Sequence, residues 1–292
     1  MAELMLGAPV VESLSSRINQ GVELLHLSGI TPTVKLVRVG EKESDLSYER
    51  GFTKKAQSLG IHIEKCILPE SVSEEELLSV IEEINEDDSI HGCLMFRPLP
   101  AHLNTRAVLR ALLPEKDIDA MTGCSMGSLI TQDDIGFSPC TAEACIEVLK
   151  YYDIPLKGKN VAMIGSGMAV GMPLSIMMIN HGATVSVCHI YTDPEKMAEH
   201  CRNADIIISA AGKAGLIGQE HVAPGQIILD VGINVGNDGK LCGDINFKEV
   251  EPIVDAITPV PRGVGAVTST VLADHVVKAA LTMNRKREKL YA

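Results

Sequence analysis

Short apolar runs rich in β-branched residues alternate with longer mixed segments along the first half of the chain. PTVKLVRVG (32–40), IHIEKCIL (61–68) and IHGCLMF (90–96) read as strands. Between them, Ser44–Leu59 reads as a helix stopped by Gly60, and Ser73-Glu74-Glu75-Glu76 forms a capping box that opens a helix to about Asn85. Strands alternating with helices imply parallel βαβ units. Arg97-Pro98-Leu99-Pro100 ends the series, because prolines cannot extend a ladder. Residues 101–140 mix short helix and loop, and Thr141–Tyr152 reads as a helix joining two lobes. A second series starts at Asn160, with strands at about 160–165, 183–188, 205–209, 226–231 and 255–258, and Leu272–Arg287 as a final helix. The expected architecture is therefore α/β and two-lobed. An N-terminal αβα lobe spans 1–140 and is completed by a C-terminal helix at about 272–292; a second lobe spans 141–271. The cleft between lobes is the expected ligand site.

One stretch gives the second lobe a chemistry. In NVAMIGSGMAVG (160–171) a strand runs into Gly165-Ser166-Gly167 and then into a helix start. That order turns backbone N–H groups toward a pyrophosphate, as in a Rossmann-type dinucleotide-binding lobe. Gly165-x-Gly167-x-x-x-Gly171 alone also fits a tight turn with close helix packing. Pro173 suits the first turn of the following helix. No acid closes the next strand, which ends at Cys188-His189. The nearest, Asp193, comes late for a ribose hydroxyl.

Composition narrows the partners. The chain has 292 residues with net charge −12, and aromatic residues make up 3% with no Trp, which argues against nucleic acid. The eight cysteines form no CxxC pair, so they read as reduced thiols of a cytoplasmic protein with no metal site. The N-terminus carries Glu3 and Glu12 without a basic leader, unlike a signal peptide. Val161–Tyr191 lacks Asp, Glu, Lys and Arg, but its glycines, Pro173 and Asn180-His181 fit a strand–loop–helix better than a membrane span.

Three further features are ambiguous on residues alone. Tyr48 sits on the helix after the first strand, as packing or as a site residue. Asp117-Ile-Asp119 follows a Pro-Glu-Lys turn, where an Asp is a cap, a solvated charge or a functional carboxylate. Thr258-Pro-Val-Pro-Arg-Gly-Val-Gly265 is a rigid loop able to approach a flat ligand, or a plain turn.

Taken together, KESDLSYERGFTKKAQSLGI, GCLMFRPLP, PEKDIDAM, FSPCTAEA, GSGMAVGMP, ATVSVCH, ADIIISAAGKAGLI, DVGIN and ITPVPRGVGAVT resemble, in order and spacing, the methylenetetrahydrofolate dehydrogenase/cyclohydrolase family. The resemblance runs from about Thr33 to Ala280. It implies a homodimer acting on a tetrahydrofolate derivative. Hydride transfer from 5,10-methylenetetrahydrofolate to NAD(P)+ would give the methenyl cation, and water addition would give 10-formyltetrahydrofolate. Residue by residue, it puts Tyr48 against the folate and Asp119 on the pterin ring. Gly165, Ser166, Gly167, Ile190 and Ile233 fall at the cofactor, and Pro261, Gly263, Val264 and Gly265 beside the folate.

The departures are specific. The family's lysine four residues after the tyrosine is Phe52 here, and its glutamine in GxLxQxPLP is Phe96. Phe carries no proton and no donor. Hydride transfer draws its chemistry from the cofactor, whereas water attack needs a proton acceptor, so weak or absent cyclohydrolase activity is the expectation. The alternatives are the full bifunctional enzyme and a non-catalytic folate or nucleotide sensor. Lys55, seven residues after Tyr48, is about 10 Å along the helix and is the candidate substitute. Ser166 and Tyr191 stand where NADP-using members carry arginines, which favours NAD with NADP less suited. Ala120 and Arg262 replace family glycines, and Arg262 either meets the substrate's glutamate tail or faces solvent.

Overall fold

The computed structural model describes residues 1–133, 135–236 and 239–291. In chain order, β1 (Glu3–Leu4) and α1 (Gly7–Leu27) precede β2 (Thr33–Val39), α2 (Glu43–Ser58), β3 (His62–Leu68), α3 (Glu74–Glu86) and β4 (Gly92–Met95). α4 (Thr105–Ala111), α5 (Gly123–Thr131) and α6 (Cys140–Tyr151) follow. The second series is β5 (Asn160–Ile164), α7 (Gly171–Asn180), β6 (Thr184–Cys188), α8 (Pro194–Arg202), β7 (Ile206–Ser209) and β8 (Ile227–Asp230). The chain then forms β9 (Asn234–Val235), β10 (Leu241–Cys242), α9 (Phe247–Val250), β11 (Ala256–Ile257) and α10 (Gly265–Tyr291).

Two compact units result, both mixed α/β. One comprises Met1–Glu12 with Thr141–Thr268; the other comprises Ser13–Cys140 with Ser269–Ala292. The first holds a parallel six-stranded sheet in the order β1-β11-β8-β7-β5-β6. From β5 the chain passes to β6 on one side and then crosses to β7 on the other. The carboxyl end of β5 is therefore a topological switch point, where α/β sheets bind ligands. The second unit repeats this logic on a smaller scale. Its three parallel strands run β3-β2-β4, so β2 is central and its carboxyl end is again a switch point.

Burial explains the elements. β2 has six buried positions in seven and β7 is buried throughout, the pattern of strands covered on both faces. The capping box at Ser73 is formed: Glu76 N donates to Ser73 Oγ at 3.2 Å, and Ser73 N donates to Glu76 Oε2 at 2.9 Å. α3 then buries Leu77, Ile81 and Ile84. Buried Lys116 closes the other end of α3, donating to the carbonyls of Ile84, Asn85 (3.1 Å) and Asp87 (2.7 Å).

Two parts differ from the sequence reading. α1 was not anticipated, although Val10, Leu14, Ile18, Val22 and Leu25 supply a buried helical stripe. Its Gly21 lies so close to Val277 of α10 that a Cβ there would stand 2.6 Å from Val277 Cγ1. α10 begins at Gly265 rather than 272, because the glycine-rich loop ends by starting the helix. Among the described residues no helix is long and apolar enough to cross a membrane.

Candidate functional site

Residues at the β2/β4 switch point come from five segments: the end of β4, α2, the Pro114–Lys116 turn, α6 and α10. Phe96 follows β4, and its N–H donates to the Val37 carbonyl at 3.0 Å, extending the ladder by one residue. Tyr48 projects from α2, and its ring meets Phe96 edge to face, centroids 6.1 Å apart at 79°. Tyr48 is 43% exposed, Phe96 is 8% exposed, and Phe52, one turn beyond Tyr48, is 1% exposed. Phe52 is thus a core residue on the side of α2 that packs inward.

The short turn at Pro114–Lys116 delivers Asp117 and Asp119 to opposite duties. Asp117 is fully buried and accepts from Met121 N and Thr122 N (2.8 Å each) and from Ser125 Oγ (2.6 Å). It is a structural staple. Asp119 is half-buried, and its carboxyl is pushed up by burial against the opposing pull of a Cys140 thiol hydrogen bond and the Arg97 charge. The Tyr48 phenol is raised in turn, first by burial, then by the Asp119 charge and by Cys140, so it remains a neutral hydroxyl at physiological pH. Lys55 is turned elsewhere: its Nζ donates to Ser15 Oγ of α1 at 3.3 Å.

The β5 switch point is built differently, from backbone. Gly165 (φ +111°) follows β5, with its N–H on the Cys188 carbonyl at 2.8 Å. A Cβ at Gly165 would overlap the Ala210 carbonyl, and one at Gly171 would overlap the Gly165 carbonyl oxygen. The loop can therefore fold tightly onto the N-terminus of α7 only with glycine at both places. Gly167 lies exposed beside half-buried Ser166. This cradle, with a helix N-terminus behind it, fits a dinucleotide pyrophosphate. Ile190 and Ile233 are both exposed. Asp193 caps α8 by accepting from Glu195 N (3.1 Å) and Lys196 N (3.2 Å). In the loop before α10, Gly263 and Val264 are buried, Gly265 is the first helical residue, and Pro261 and Arg262 are exposed.

Known proteins match this arrangement along nearly the whole chain. Residues 5–119 match the model of the tetrahydrofolate dehydrogenase/cyclohydrolase catalytic domain, and residues 139–284 match that family's NAD(P)-binding domain. The chain belongs to the tetrahydrofolate dehydrogenase/cyclohydrolase family. A bifunctional protein FolD of Carboxydothermus hydrogenoformans is 44% identical over 287 residues, covering 97% of this chain and 99% of that protein. The crystal structure of the bifunctional FolD enzyme from Campylobacter jejuni superposes with a TM-score of 0.92 at 36% identity, covering 97% of this chain and 99% of that one. The Trypanosoma brucei dehydrogenase-cyclohydrolase, solved with NADP cofactor and inhibitor, gives 0.87 at 31% identity, with 98% of both chains covered. These relatives carry names for both activities, which favours the bifunctional alternative over the expectation of weak or absent hydrolysis.

Two departures from the family pattern acquire a backbone meaning. Ala120 has φ +52° and Arg262 has φ +80°, so each occupies a left-handed conformation that glycine adopts freely. Sequence reasoning missed other residues altogether. Arg97, Cys140 and His275 surround Asp119 from three distant parts of the chain, and no local spacing announces them. It also missed a buried carboxylate pair in the dinucleotide unit. Asp244 accepts from Ser209 Oγ, Ala211 N, Gly212 N, Lys213 N and Asn234 Nδ2 at 2.7–3.2 Å. Asp230 accepts from Gly232 N, Asp244 N and Ile245 N at 2.9–3.1 Å. A Cβ on Gly232 or Gly243 would overlap these carboxylates; the glycines of DVGIN and CGDIN were the available signal.

Proposed function

We propose that this chain oxidises 5,10-methylenetetrahydrofolate to the methenyl compound with NAD+ and hydrolyses the product to 10-formyltetrahydrofolate. The observation that carries this reading is the pairing of two switch points in one chain of this family: a glycine-built cradle at Gly165–Gly167 and a half-buried Asp119 beside Tyr48. In this reading Gly165, Ser166, Gly167 and the start of α7 hold the dinucleotide, with Ile190 and Ile233 against its rings. A bound nicotinamide supplies the hydride acceptor. Tyr48 lies against the pterin, Asp119 hydrogen-bonds it, and Pro261, Gly263, Val264 and Gly265 form the neighbouring backbone. No protein proton carrier is needed for the oxidation, because the substrate's nitrogen lone pair stabilises the cation. Hydrolysis does need one, and in this reading the Asp119 carboxyl is the proton acceptor, with the neutral Tyr48 hydroxyl beside it as a hydrogen-bond donor.

The preference for NAD rests on charge. Ser166 and Tyr191 offer no guanidinium to a 2′-phosphate. The protein acts as a cytoplasmic homodimer in this reading, measurable by light scattering of the purified chain.

A second reading, a dehydrogenase with weak hydrolysis, is favoured by one observation: Phe52 and Phe96 are buried apolar side chains at the positions where the resemblance expects lysine and glutamine. One assay separates the readings. NADH formation with methylenetetrahydrofolate is followed together with the methenyl and 10-formyl products. Conversion of added methenyl compound well above the uncatalysed rate supports the bifunctional reading, accumulation of methenyl product supports the second, and no NAD(P)H formation overturns both.

A further inference from the structure

Behind Asp119 lies a contact set that the reaction as described does not use. His275 projects from α10, is 1% exposed, and brings its Nδ1 to 2.7 Å from the carbonyl oxygen of Ile118. A carbonyl oxygen only accepts, so at that distance Nδ1 carries the proton and donates it. Cys140 Sγ lies 3.5 Å from the same carbonyl and 3.7 Å from Nδ1, and its thiol also bonds the Asp119 carboxyl. Phe137 covers the imidazole, ring centroids 4.8 Å apart at 31°. Buried Asp117 ties the other side of the turn to Met121, Thr122 and Ser125. The peptide that carries Asp119 is thus gripped on one side by Asp117 and on the other by His275 and Cys140.

We infer that His275 is a positioning residue for folate: its Nδ1–H clamps the Ile118 carbonyl and, with Cys140, fixes the direction of the Asp119 carboxyl toward the pterin. Asp119 carries a directional hydrogen bond in this inference, which rests on the folate reading above. Freedom at its backbone therefore costs alignment, and small losses of alignment at a reacting centre cost rate. Burial by Phe137 keeps water from replacing the clamp. The inference requires a donor at the Nδ1 position and does not require that His275 change charge.

The groups facing Asp119 are Tyr48 from α2, Arg97 after β4, Asp117 in the preceding turn, Cys140 at the start of α6 and His275 from α10. The Cys140 bond and the Arg97 charge both favour the ionised carboxylate. Releasing the peptide that His275 clamps loosens the Cys140 bond and moves the acid limb of a folate-dependent pH profile to higher pH.

The experiment compares His275→Asn, which keeps an N–H donor near the Nδ1 position, with His275→Leu, which keeps bulk and removes the donor. For His275→Leu we expect a fall of about tenfold in kcat/KM for methylenetetrahydrofolate, an acid limb displaced to higher pH, and an unchanged KM for NAD+. His275→Asn is expected within about twofold of the parent. Equal losses in both variants, an unmoved pH profile in the Leu variant, or a parallel rise in KM for NAD+ would overturn the inference. Should the Leu variant fail to fold, 15N-histidine NMR of the intact chain decides: the Nδ1–H tautomer of His275 supports the clamp, and the Nε2–H tautomer refutes it. An inactive parent enzyme with the Nδ1–H tautomer would defeat the folate reading while leaving the contact itself intact.

Discussion

The two switch points solve the same topological problem with different materials. At β5 the turn is built from main chain: glycines at 165 and 171 let two segments touch. At β2 the surface is side chain: Tyr48, Phe96, Asp119, Arg97, Cys140 and His275 arrive from five segments, and the titratable ones among them adjust one another's charge. A backbone-built frame depends first on its glycines. A side-chain-built site can carry a buried apolar residue, as at Phe52, and still keep its frame.

The largest expected break is on the side-chain side. Asp119→Asn should lower the rate of methenyltetrahydrofolate hydrolysis by about 10²- to 10⁴-fold, the range for a lost proton-handling group. Steady-state kinetics should find KM for NAD+ unchanged. On the backbone side, Gly171→Val forces a branched side chain against the Gly165 carbonyl. Overpacking of this kind costs about 1–3 kcal/mol, so KM for NAD+ should rise by about 10- to 100-fold while fluorescence-detected folate binding is retained.

A third test concerns the carboxylates that hold the dinucleotide unit's loops. Burial, reinforced by the Asp244 charge and opposed by three backbone N–H donors, raises the Asp230 carboxyl from 3.8 to about 6. The folded chain therefore holds this proton more tightly than the unfolded chain between those values. The resulting stability is fully present below the unfolded pKa and is lost as pH rises through 6. At about 1.4 kcal/mol per pK unit this amounts to about 3 kcal/mol. Urea titrations at pH 4 and pH 7 should show wild type losing that increment relative to Asp230→Asn. A pH-independent difference would contradict it.

Smaller effects sharpen the comparison. Ser166→Arg should shift the kcat/KM ratio toward NADP+ by about tenfold through one charge-assisted contact. Ala120→Gly relieves a left-handed alanine worth about 1–2 kcal/mol and adds about 0.4–1 kcal/mol of unfolded-state entropy. The net gain of about 0.5–1 kcal/mol should appear as a raised Tm.

Legibility in the sequence followed the same division. The strand–glycine–helix order at 160–171 was legible, because a tight backbone turn is written in contiguous residues. Capping at Ser73 and the alternation of strands and helices were equally local. α1 is harder to see because Gly7, Pro9, the serines at 13, 15 and 16 and Gly21 interrupt its apolar stripe with poor helix formers. Tyr48 and Asp119 gained meaning only through the family resemblance, since a lone tyrosine on a helix and an aspartate after a turn have bland explanations. His275 was invisible: its partner carbonyl lies 157 positions away, and nothing in VLADHVV marks a clamp. Asp193, considered for a ribose hydroxyl, is used as a helix cap for a local reason that its Asp-Pro context carried all along.

The most direct test of the central claim is the initial rate of NADH formation by the purified chain with 5,10-methylenetetrahydrofolate, followed together with the methenyl and 10-formyl products. The account predicts NAD+-dependent oxidation with 10-formyltetrahydrofolate as the end product. No NAD+- or NADP+-dependent oxidation under conditions where the folded chain binds folate would contradict it.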